Sequence, residues 1–516
     1  MLAVTACTTV GPNFDKPEAP IAEDWLAINN SRVSSNSADF SHWWQIFNDP
    51  ALNALVQTAY QQNLSLRIAG LRILESRAQL GIAAGSSYPQ LQQLRAGATS
   101  INGSENLANT SVLDLNYWNF NVGIDAAWEL DFWGKFQRVV QSADAALIAS
   151  IADYDDVLVT ITAEVARSYT TIRTLEERLK LAQGNIKIQQ RSLRIAEVRF
   201  RNGVVTELDV QQARALLNNT KALIPQLTAG LRQAKNALSI LLGKPPNELK
   251  DMLNPKRGIP QASTEIAIGI PAELLRRRPD VRRAEFQAAA QSARIGVATA
   301  DLYPSFSLTG SMGLRASANA DLTATGNSGF SNLFEADSFE LLGGAFFRWD
   351  IFNYGRIKNK VRVQDARFQQ LIVNYQNTVL RAGQEVEDAL VAFLRAQEQA
   401  RLFGLSVKAA QRSVNLSLIQ YRDGAVDYNR VLSTQAFLVQ EQDRLTAARG
   451  DIANSLIFLY RALGGGWELR QGNDFVPAET KQTMQERTDW GQLLEPEAVK
   501  ETLPDNPQTS FRRPDW

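Results

Sequence analysis

An internal duplication constrains the fold of this sequence more than any other feature. Gly203 lies in the run Arg-Phe-Arg-Asn-Gly-Val-Val, and Gly424 lies in the similar run Gln-Tyr-Arg-Asp-Gly-Ala-Val. The spacing between these two glycines also relates Trp128 to Trp349, Gly134 to Gly355 and Leu242 to Leu463. Upstream, a slightly shorter spacing relates Gly81 to Gly296 and Tyr88-Pro89 to Tyr303-Pro304. The unit is far longer than a solenoid repeat, so the chain is predicted to fold as two similar halves.

Composition excludes several classes of function. The formal net charge is zero, which argues against a general nucleic-acid-binding protein. One histidine, His42, and one cysteine, Cys7, leave no histidine–cysteine metal cluster and no disulfide within one chain. The sequence shows no glycine-rich phosphate loop and no paired nucleophile and base. We therefore expect no enzyme activity, catalytic residue, metal or cofactor, and we interpret His42 as structural.

The first residues indicate a lipoprotein. The run Val-Thr-Ala-Cys that ends at Cys7 is similar to a bacterial lipobox, in which the cysteine thiol is acylated. Residues 1–6 are then a signal-peptide remnant that is too short to function, so we expect the recorded chain to be truncated at its start. Residues 7–50 are predicted to form an extended surface segment held at a membrane by the acyl chains. The alternative is a stray cysteine near a chain end.

Apolar residues at alternating steps of four and three predict two very long helices. This seam runs from Leu147 to Phe200 in the first repeat and from Phe368 to Tyr421 in the second. Heptads sustained over this length indicate coiled-coil packing, and each helix should be roughly 100 Å long. The predicted helices are 51–86, 136–201, 204–242, 271–301, 356–422 and 425–463. The helices that follow the turns, 204–242 and 425–463, are called the return helices. Because each is shorter than the long helix before it, a short helix is predicted to stack on its end.

Alternation of apolar and polar residues predicts strands. From Trp118 to Leu130 the apolar residues lie on one face and the polar or small residues on the other. The predicted strands are about 88–100, 117–131, 303–315 and 339–351. With the helices they make up repeat 1 (51–242) and repeat 2 (271–463). Residues 243–270 are predicted to be an equatorial linker, and residues 464–516 an equatorial or disordered tail.

The number of strands predicts how the chain assembles if the apolar face meets lipid. No stretch of about 18 apolar residues is present, as a membrane-spanning helix would need. Open strand edges cannot lie in hydrocarbon, and four strands cannot close on themselves. Three chains would supply twelve strands, enough to close around a wide lumen. Two alternatives stay open here: a sheet packed on a helix in a soluble protein, and a purely structural coiled-coil protein.

Together these features resemble the TolC-type outer membrane factors, specifically the OprM/NodT-like lipoprotein branch used by tripartite efflux pumps. The resemblance covers about residues 7–465. It rests on the run Cys-Thr-Thr-Val-Gly-Pro-Asn-Phe from Cys7, the run Pro-Ala-Glu-Leu-Leu-Arg-Arg-Arg-Pro-Asp-Val-Arg from Pro271, the two Tyr-Pro pairs and the turns at Gly203 and Gly424.

The resemblance implies a mainly α-helical homotrimer with a transmembrane β-barrel of twelve strands and an α-barrel of twelve coiled-coil helices. It implies a protein of the cell outer membrane, lipid-anchored through Cys7 and extending into the periplasm. Its implied partners are a periplasmic adaptor protein of the membrane fusion type and an inner-membrane pump of the RND type. The implied function is a passive duct for small molecules such as drugs or other toxic compounds. The alternative is the outer membrane channel of a type I protein secretion system.

The resemblance also implies a gate at the periplasmic mouth, where the two turns lie. Asp423 and Asp427 match the acidic residues that narrow this mouth in the family. Three copies of such acids near a three-fold axis make a ring of negative charge, and such rings favour cations. The alternatives are that Asp423 is only a turn residue and that Asp427 is a helix N-cap.

Two further roles are predicted at the turns. Arg201, Arg422 and Arg430 are expected to tie the tips together through exposed ion pairs, each contributing about 0–1 kcal/mol. Small apolar residues suit close packing of one tip against another. The candidates for adaptor contact are therefore Gly203, Val204, Val205, Gly424, Ala425 and Val426. The alternative is that these six residues only satisfy the geometry of the turns.

Overall fold

The computed structural model describes residues 9–495, except 29, 35, 37–38, 107, 109–114, 255–257, 262–264 and 320–328. The helices, numbered in chain order, are α1 Pro50–Gln62, α2 Leu64–Gly85, α3 Lys135–Arg201, α4 Glu207–Leu241, α5 Pro271–Arg277, α6 Pro279–Ala300, α7 Gly329–Asn332, α8 Arg356–Arg422, α9 Tyr428–Ala462 and α10 Ala478–Arg487. The strands are β1 Val33–Ser34, β2 Leu91–Asn102, β3 Asn116–Leu130, β4 Ile266–Ala267, β5 Ser305–Asn319 and β6 Phe339–Arg348. The predicted lipidation site Cys7, the remnant 1–6 and the tail from 496 lie outside the described residues. Within them, no helix is both long and apolar enough to cross a membrane.

The helices α3 and α8 set the length of the molecule. Each has 67 residues and is therefore roughly 100 Å long. Helix α3 packs along α4 and α8 along α9, which gives one hairpin per repeat, and α3 also lies against α9. Much of the seam predicted for α3 is buried, namely Leu147, Ile151, Tyr154, Leu158, Ile161, Val165 and Ile172. The heptad pattern thus forms the contact that holds the hairpins together.

Each short helix that was predicted to be continuous is interrupted once, at equivalent residues of the two repeats. Asn63 and Arg278 both have extended backbone, with ψ of 127°. Asn63 caps α2 with its side chain, and Arg278 precedes Pro279, which disfavours helix at that position. Asn63 Nδ2 donates to Leu241 O at 2.8 Å, and Arg278 Nη1 donates to Ala462 O at 2.6 Å. The breaks are therefore the points where the short helices meet the ends of the return helices.

Strand β6 is shorter than the predicted 339–351. It ends at Arg348, and the Ile351 N–H donates back to Trp349 O at 3.0 Å, so the backbone turns out of the ladder. The indole N–H of Trp349 donates to Leu302 O at 3.0 Å. This bond anchors the turn against the chain that follows α6.

The C-terminal segment is more ordered than its composition predicted. It is described up to residue 495 and includes α10. Met484 of α10 and Val476 pack on Leu74 of α2. Burial of a few apolar side chains therefore holds a segment that is otherwise polar.

The four longer strands form one antiparallel sheet in the order β2-β3-β5-β6. Strands β3 and β5, one from each repeat, pair from Trp118 opposite Ala318 to Leu130 opposite Phe306. The outer strands β2 and β6 each have a single strand neighbour among the described residues. The sheet therefore has two open edges, one from each repeat. Strands β1 and β4 pair separately, in parallel.

The two faces of this sheet differ in chemistry. On one face the register brings together Trp118, Phe120, Val122, Ile124, Trp128, Leu308, Met312, Leu314, Phe339, Leu341 and Phe347. Many of these side chains, among them Ile124 and Leu341, are exposed. The other face carries the ion pairs of Arg95 with Asp125 at 3.5 Å and of Arg315 with Glu340 at 3.3 Å. An exposed apolar face of this extent requires a cover from outside the chain.

The N-terminal segment is clamped where α3 begins. The buried Arg138 donates to Val10 O and Gly11 O, both at 3.1 Å, and to Asn13 Oδ1 at 3.0 Å. Gly11 has φ of 89° and lies so close to Gly296 of α6 that a Cβ on Gly11 would be 2.4 Å from Gly296 Cα. The segment is thereby fixed between α3 and α6, next to the end of β3.

Arg283, which follows the Pro-Asp-Val-Arg run of α6, ties repeat 2 to repeat 1. Arg283 donates to Asp153 at 2.5 Å and to Asp156 at 3.0 Å, both on α3. Burial raises the pKa of Asp156, and the Arg283 charge opposes this rise. Asp155, on the same turn of the helix, has a fully buried side chain and accepts hydrogen bonds from Arg470 of the C-terminal segment. Charge pairing on one turn of α3 thus fixes both α6 and the C-terminal segment.

We predict opposite effects for one substitution at two equivalent glycines. Gly296→Ala places a Cβ 2.8 Å from Arg138 Cγ, and the hydrogen bonds of Arg138 prevent it from moving away. The free energy of unfolding should therefore fall by about 1–3 kcal/mol. Within the chain Gly81→Ala meets nothing within 4 Å, so without contact from a neighbouring copy it should raise that free energy by up to about 1 kcal/mol through helix propensity. Thermal unfolding in detergent, followed by circular dichroism, measures both, and equal shifts would contradict the clamp.

Candidate functional site at the helix tips

The first hairpin ends in a turn built on one glycine. Gly203 has φ of 70°. The Val204 N–H donates to Arg199 O and the Gly203 N–H to Phe200 O, both at 2.9 Å. These two bonds form a Schellman motif, which satisfies carbonyl groups that the end of α3 would otherwise leave open.

The second hairpin ends in the same turn. Gly424 has φ of 75°, the Ala425 N–H donates to Gln420 O at 2.8 Å, and the Gly424 N–H donates to Tyr421 O at 3.1 Å. At Gly203 and Gly424 alike, an added Cβ would meet nothing within 4 Å. The left-handed φ, and not the available space, is therefore what requires glycine at both tips.

The return helices begin at Glu207 and Tyr428, slightly later than predicted. Thr206 and Asp427 precede them as N-caps with extended backbone. The Asp427 carboxylate accepts the Arg430 N–H at 3.0 Å, which stabilises the start of α9. The alternative interpretation of Asp427 as an N-cap is thus confirmed for the single chain, and its role in a gate stays a prediction.

Asp423 and Asp427 are acidic in repeat 2, whereas the equivalent residues of repeat 1 are neutral. The Asp423 side chain is 57% exposed and accepts from Arg422 Nε at 3.5 Å. An exposed pair of this kind contributes little free energy. The carboxylate remains largely in contact with solvent. The positions equivalent to Asp423 and Asp427 in repeat 1 hold the neutral residues Asn202 and Thr206. The duplication therefore diverged in charge at the place where a gate is predicted.

The arginines predicted to tie the tips together bond locally. Arg201 Nε donates to Glu197 O of its own helix at 3.4 Å, and Arg422 pairs with its neighbour Asp423. Among the described residues, neither these two nor Arg430 forms an ion pair with the opposite hairpin. The single chain therefore shows only local bonds for these arginines, and the latch between tips stays a prediction.

Arg199, which the sequence analysis missed, joins the two tips. Its Nη1 donates to Tyr421 O at 3.2 Å, its Nη2 donates to Arg422 O at 3.3 Å, and its guanidinium lies 4.3 Å from the centre of the Tyr421 ring. A cation at the last carbonyls of α8 also meets the negative end of that helix. The signal in the sequence was a break in the duplication, since the equivalent residue in repeat 2 is the neutral Gln420.

A small apolar cluster lies beneath the two turns. It is built from Ala196, Val210, Ala213, Tyr421, Tyr428, Val431 and Leu432. The rings of Tyr421 and Tyr428 are 5.0 Å apart, and Gln435 Nε2 donates to Ser192 Oγ at 2.9 Å between α9 and α3. Burial raises the pKa of Tyr428, with a smaller contribution from Tyr421. The cluster packs the two tips as one body.

The residues predicted for adaptor contact fall into two groups. Gly203, Val204, Gly424 and Ala425 are exposed, and Val204 is 64% exposed. Val205 and Val426 are half-buried and pack against the apolar cluster. A partner would therefore reach the first four residues, while the two valines stabilise the tip itself.

Two long helical hairpins with tips at one end, joined to an open antiparallel sheet, define the class of outer membrane efflux factors. The family model described as "Outer membrane efflux protein" matches residues 55–244 and 270–465, which are the two repeats. The chain belongs to this family.

Individual relatives match over nearly their whole length. Nodulation protein T of Rhizobium leguminosarum bv. trifolii is 31% identical over 467 residues, which cover 90% of this chain and 96% of the relative. The pyoverdine export outer membrane protein OpmQ of Pseudomonas aeruginosa is 30% identical over 481 residues, with coverages of 91% and 97%. The solved structure of the outer-membrane channel OprN has a TM-score of 0.81 at 32% identity and covers 89% of this chain and 99% of its own.

We predict that Arg199 and Arg201 differ sharply in their effect on the tips. Arg199→Ala removes two charge-assisted hydrogen bonds and the Tyr421 ring contact, so local opening of the tips should become easier by about 1–2 kcal/mol. Amide hydrogen exchange around both turns should accelerate roughly tenfold. The matched control Arg201→Ala removes one bond within its own helix and should leave the exchange unchanged. Equal exchange in the two variants would show that Arg199 does not join the hairpins.

Proposed function

We propose that three copies of this chain form an outer membrane efflux channel. The strands span the outer membrane, the helices extend into the periplasm, and solutes pass through a shared lumen without this protein supplying energy. The observation that carries the proposal is the four-stranded sheet, which within the described part of the chain is open at both edges and apolar on one exposed face.

Closure between copies satisfies both features of the sheet. All backbone N–H and C=O groups of a sheet in hydrocarbon must be hydrogen-bonded. The edge strands meet this requirement when β6 of one copy pairs with β2 of the next. Three copies supply twelve strands, and a barrel of that size encloses a water-filled lumen. The apolar face that includes Trp118 and Leu341 then meets lipid, and the face with the Arg95–Asp125 pair lines the lumen.

The helices continue this duct away from the membrane. Each copy contributes four helical columns, namely α3, α8 and the two stacks of a short helix with a return helix. Three copies make an α-barrel of twelve columns, with six tips at its periplasmic mouth. Roughly 100 Å separates the tips from the strands, because α3 and α8 run that far without a break.

The contacts of the N-terminal segment support the proposal of a lipid anchor at Cys7. Thr9 Oγ1 donates to Gln137 Oε1 at 2.9 Å, and the Val10 N–H donates to Trp133 O at 3.0 Å. Both contacts lie where β3 leads into α3, which is the periplasmic surface of the membrane in the proposed orientation. Cys7 is two residues upstream of Thr9, within about 7 Å of chain length. Acyl chains on Cys7 would thus enter the adjacent leaflet directly.

The tips are the proposed meeting point with the rest of a tripartite system. The exposed residues Gly203, Val204, Gly424 and Ala425 would contact a periplasmic adaptor, which links the channel to an inner-membrane pump of the RND type. Small molecules are the proposed substrate class, supported by the relative OpmQ, a pyoverdine export outer membrane protein. The purified protein should form discrete conductance steps in planar lipid bilayers, and protein that inserts without conducting would contradict the channel.

Exchanging the acidic residues for their repeat 1 counterparts tests the gate. We predict that Asp423→Asn with Asp427→Thr keeps the turn, because Asn202 and Thr206 support the same turn in repeat 1. The double variant removes six carboxylates, two per chain, from the mouth of a trimer. Selectivity for cations should fall, because rings of negative charge attract cations. Conductance in planar bilayers should rise, because the family resemblance implies that these acidic residues narrow the mouth.

The control for this exchange is Glu479→Gln in α10, which removes an exposed carboxylate far from the tips. It should conduct like the wild-type protein. If the double variant also keeps wild-type conductance and selectivity, Asp423 and Asp427 are not part of the gate, while the channel itself still stands.

A further inference from the structure

The contact between the two repeats within the chain is a template for the contact between neighbouring copies. Inside the chain, β3 of repeat 1 lies beside β5 of repeat 2. The proposed trimer, on which this step rests, places β6 of one copy beside β2 of the next. Residues equivalent to those that meet across β3 and β5 should therefore meet across the boundary between copies.

The duplication holds at the level of single hydrogen bonds where the strands join the helices. Trp128 Nε1 donates to Ser87 O at 3.3 Å, and Trp349 Nε1 donates to Leu302 O at 3.0 Å. The two tryptophans are related by the longer spacing of the duplication, and Ser87 and Leu302 by the shorter spacing found upstream. The two spacings thus identify equivalent contacts at the two tryptophans, although β6 leaves the ladder earlier than β3 does.

An aromatic stack joins the two repeats at the same level. Trp133, in the turn between β3 and α3, stacks on Tyr303 with ring centroids 4.7 Å apart and planes 25° apart. Trp133 Nε1 also donates to Pro304 O at 2.8 Å. The longer spacing leads from Trp133 to Tyr354, in the turn between β6 and α8, and the shorter one leads back from Tyr303 to Tyr88, just before β2. Both counterparts are aromatic, and they lie at the two open edges of the sheet.

Tyr354 has a strained backbone and a fully exposed side chain. Its φ is 50°, a left-handed conformation that is rare for a bulky residue and persists where contacts hold it. Its relative exposure within the described chain is 102%, and its neighbour Phe352 is 88% exposed. The equivalent turn after β3 is partly covered, because Trp133 packs on Tyr303 and Phe132 packs on Phe306, which leaves Phe132 42% exposed. Phe352 and Tyr354 therefore form an exposed apolar ridge after β6. The equivalent turn of repeat 1 forms an interface between the two repeats.

We infer that Tyr354 is a contact residue between subunits, and that its ring stacks on Tyr88 of the partner subunit. The partner at this edge is a second copy of the chain. The reason is that the counterpart of Tyr303 is Tyr88, which lies at the β2 edge of a copy. A trimer contains three such stacks, each at the boundary between strands and helices. They add to the backbone pairing a side-chain contact that fixes how β6 meets the neighbouring copy.

Chemical cross-linking of the full-length protein in detergent tests the pairing. In the double variant Tyr88→Cys with Tyr354→Cys, a short bismaleimide should join chains into covalent dimers and trimers on a denaturing gel. Neither single variant should do so, which also controls for Cys7. The matched control Tyr117→Cys with Tyr354→Cys, with one cysteine at the far end of β3, should yield only single chains.

The outcomes separate this inference from the proposed trimer. Wild-type protein that is trimeric, with no cross-linking in the double variant, would overturn the stack and leave the channel intact. Wild-type protein that is monomeric in detergent would overturn both.

As a second measurement, Tyr354→Ala should lose heat-resistant trimers in dodecyl sulfate at a lower temperature than wild type. Tyr354→Trp, which restores the repeat 1 residue, should retain them, and equal behaviour of the two variants would also overturn the stack.

Discussion

Unpaired backbone at the two edges of the four-stranded sheet is the constraint on which the rest of the molecule depends. Strands β2 and β6 each have one strand neighbour in the described chain, and each unpaired polar group costs several kcal/mol in hydrocarbon. A sheet with an exposed apolar face can enter a membrane only as part of a closed ring, and four strands are too few to make one. Folding of one copy and association of several copies are therefore a single physical problem.

The duplication gives this problem a simple solution, because one contact serves both within and between chains. Where the repeats agree, they share structural tasks: Gly203 and Gly424 make the same turn, and the breaks at Asn63 and Arg278 receive the ends of the return helices. Where they differ, the difference has a local consequence. Arg199 bonds to the other tip, whereas its counterpart Gln420 is neutral. Asp423 and Asp427 are acidic, whereas their repeat 1 counterparts are neutral.

Much of this architecture could be predicted from the sequence, since helical and strand periodicities are local patterns that long elements repeat many times. The break at Asn63 could not, because the apolar pattern continues across it and its partner Leu241 lies far away in the chain. The break at Arg278 had a local signal in Pro279, which the continuing apolar pattern obscured. Arg199 was missed for a related reason: its acceptors are backbone carbonyls, so the difference from Gln420 in repeat 2 did not identify a partner. The order of the C-terminal segment was missed because only a few residues, such as Met484, are buried in a polar stretch.

The number of chains in one particle decides whether the sheet closes between copies. Native mass spectrometry of the protein released from detergent micelles counts those chains directly, and conductance in planar bilayers can be recorded on the same preparation. We expect three chains in every conducting preparation. Particles that hold a single chain and still conduct would contradict closure of the strands between copies.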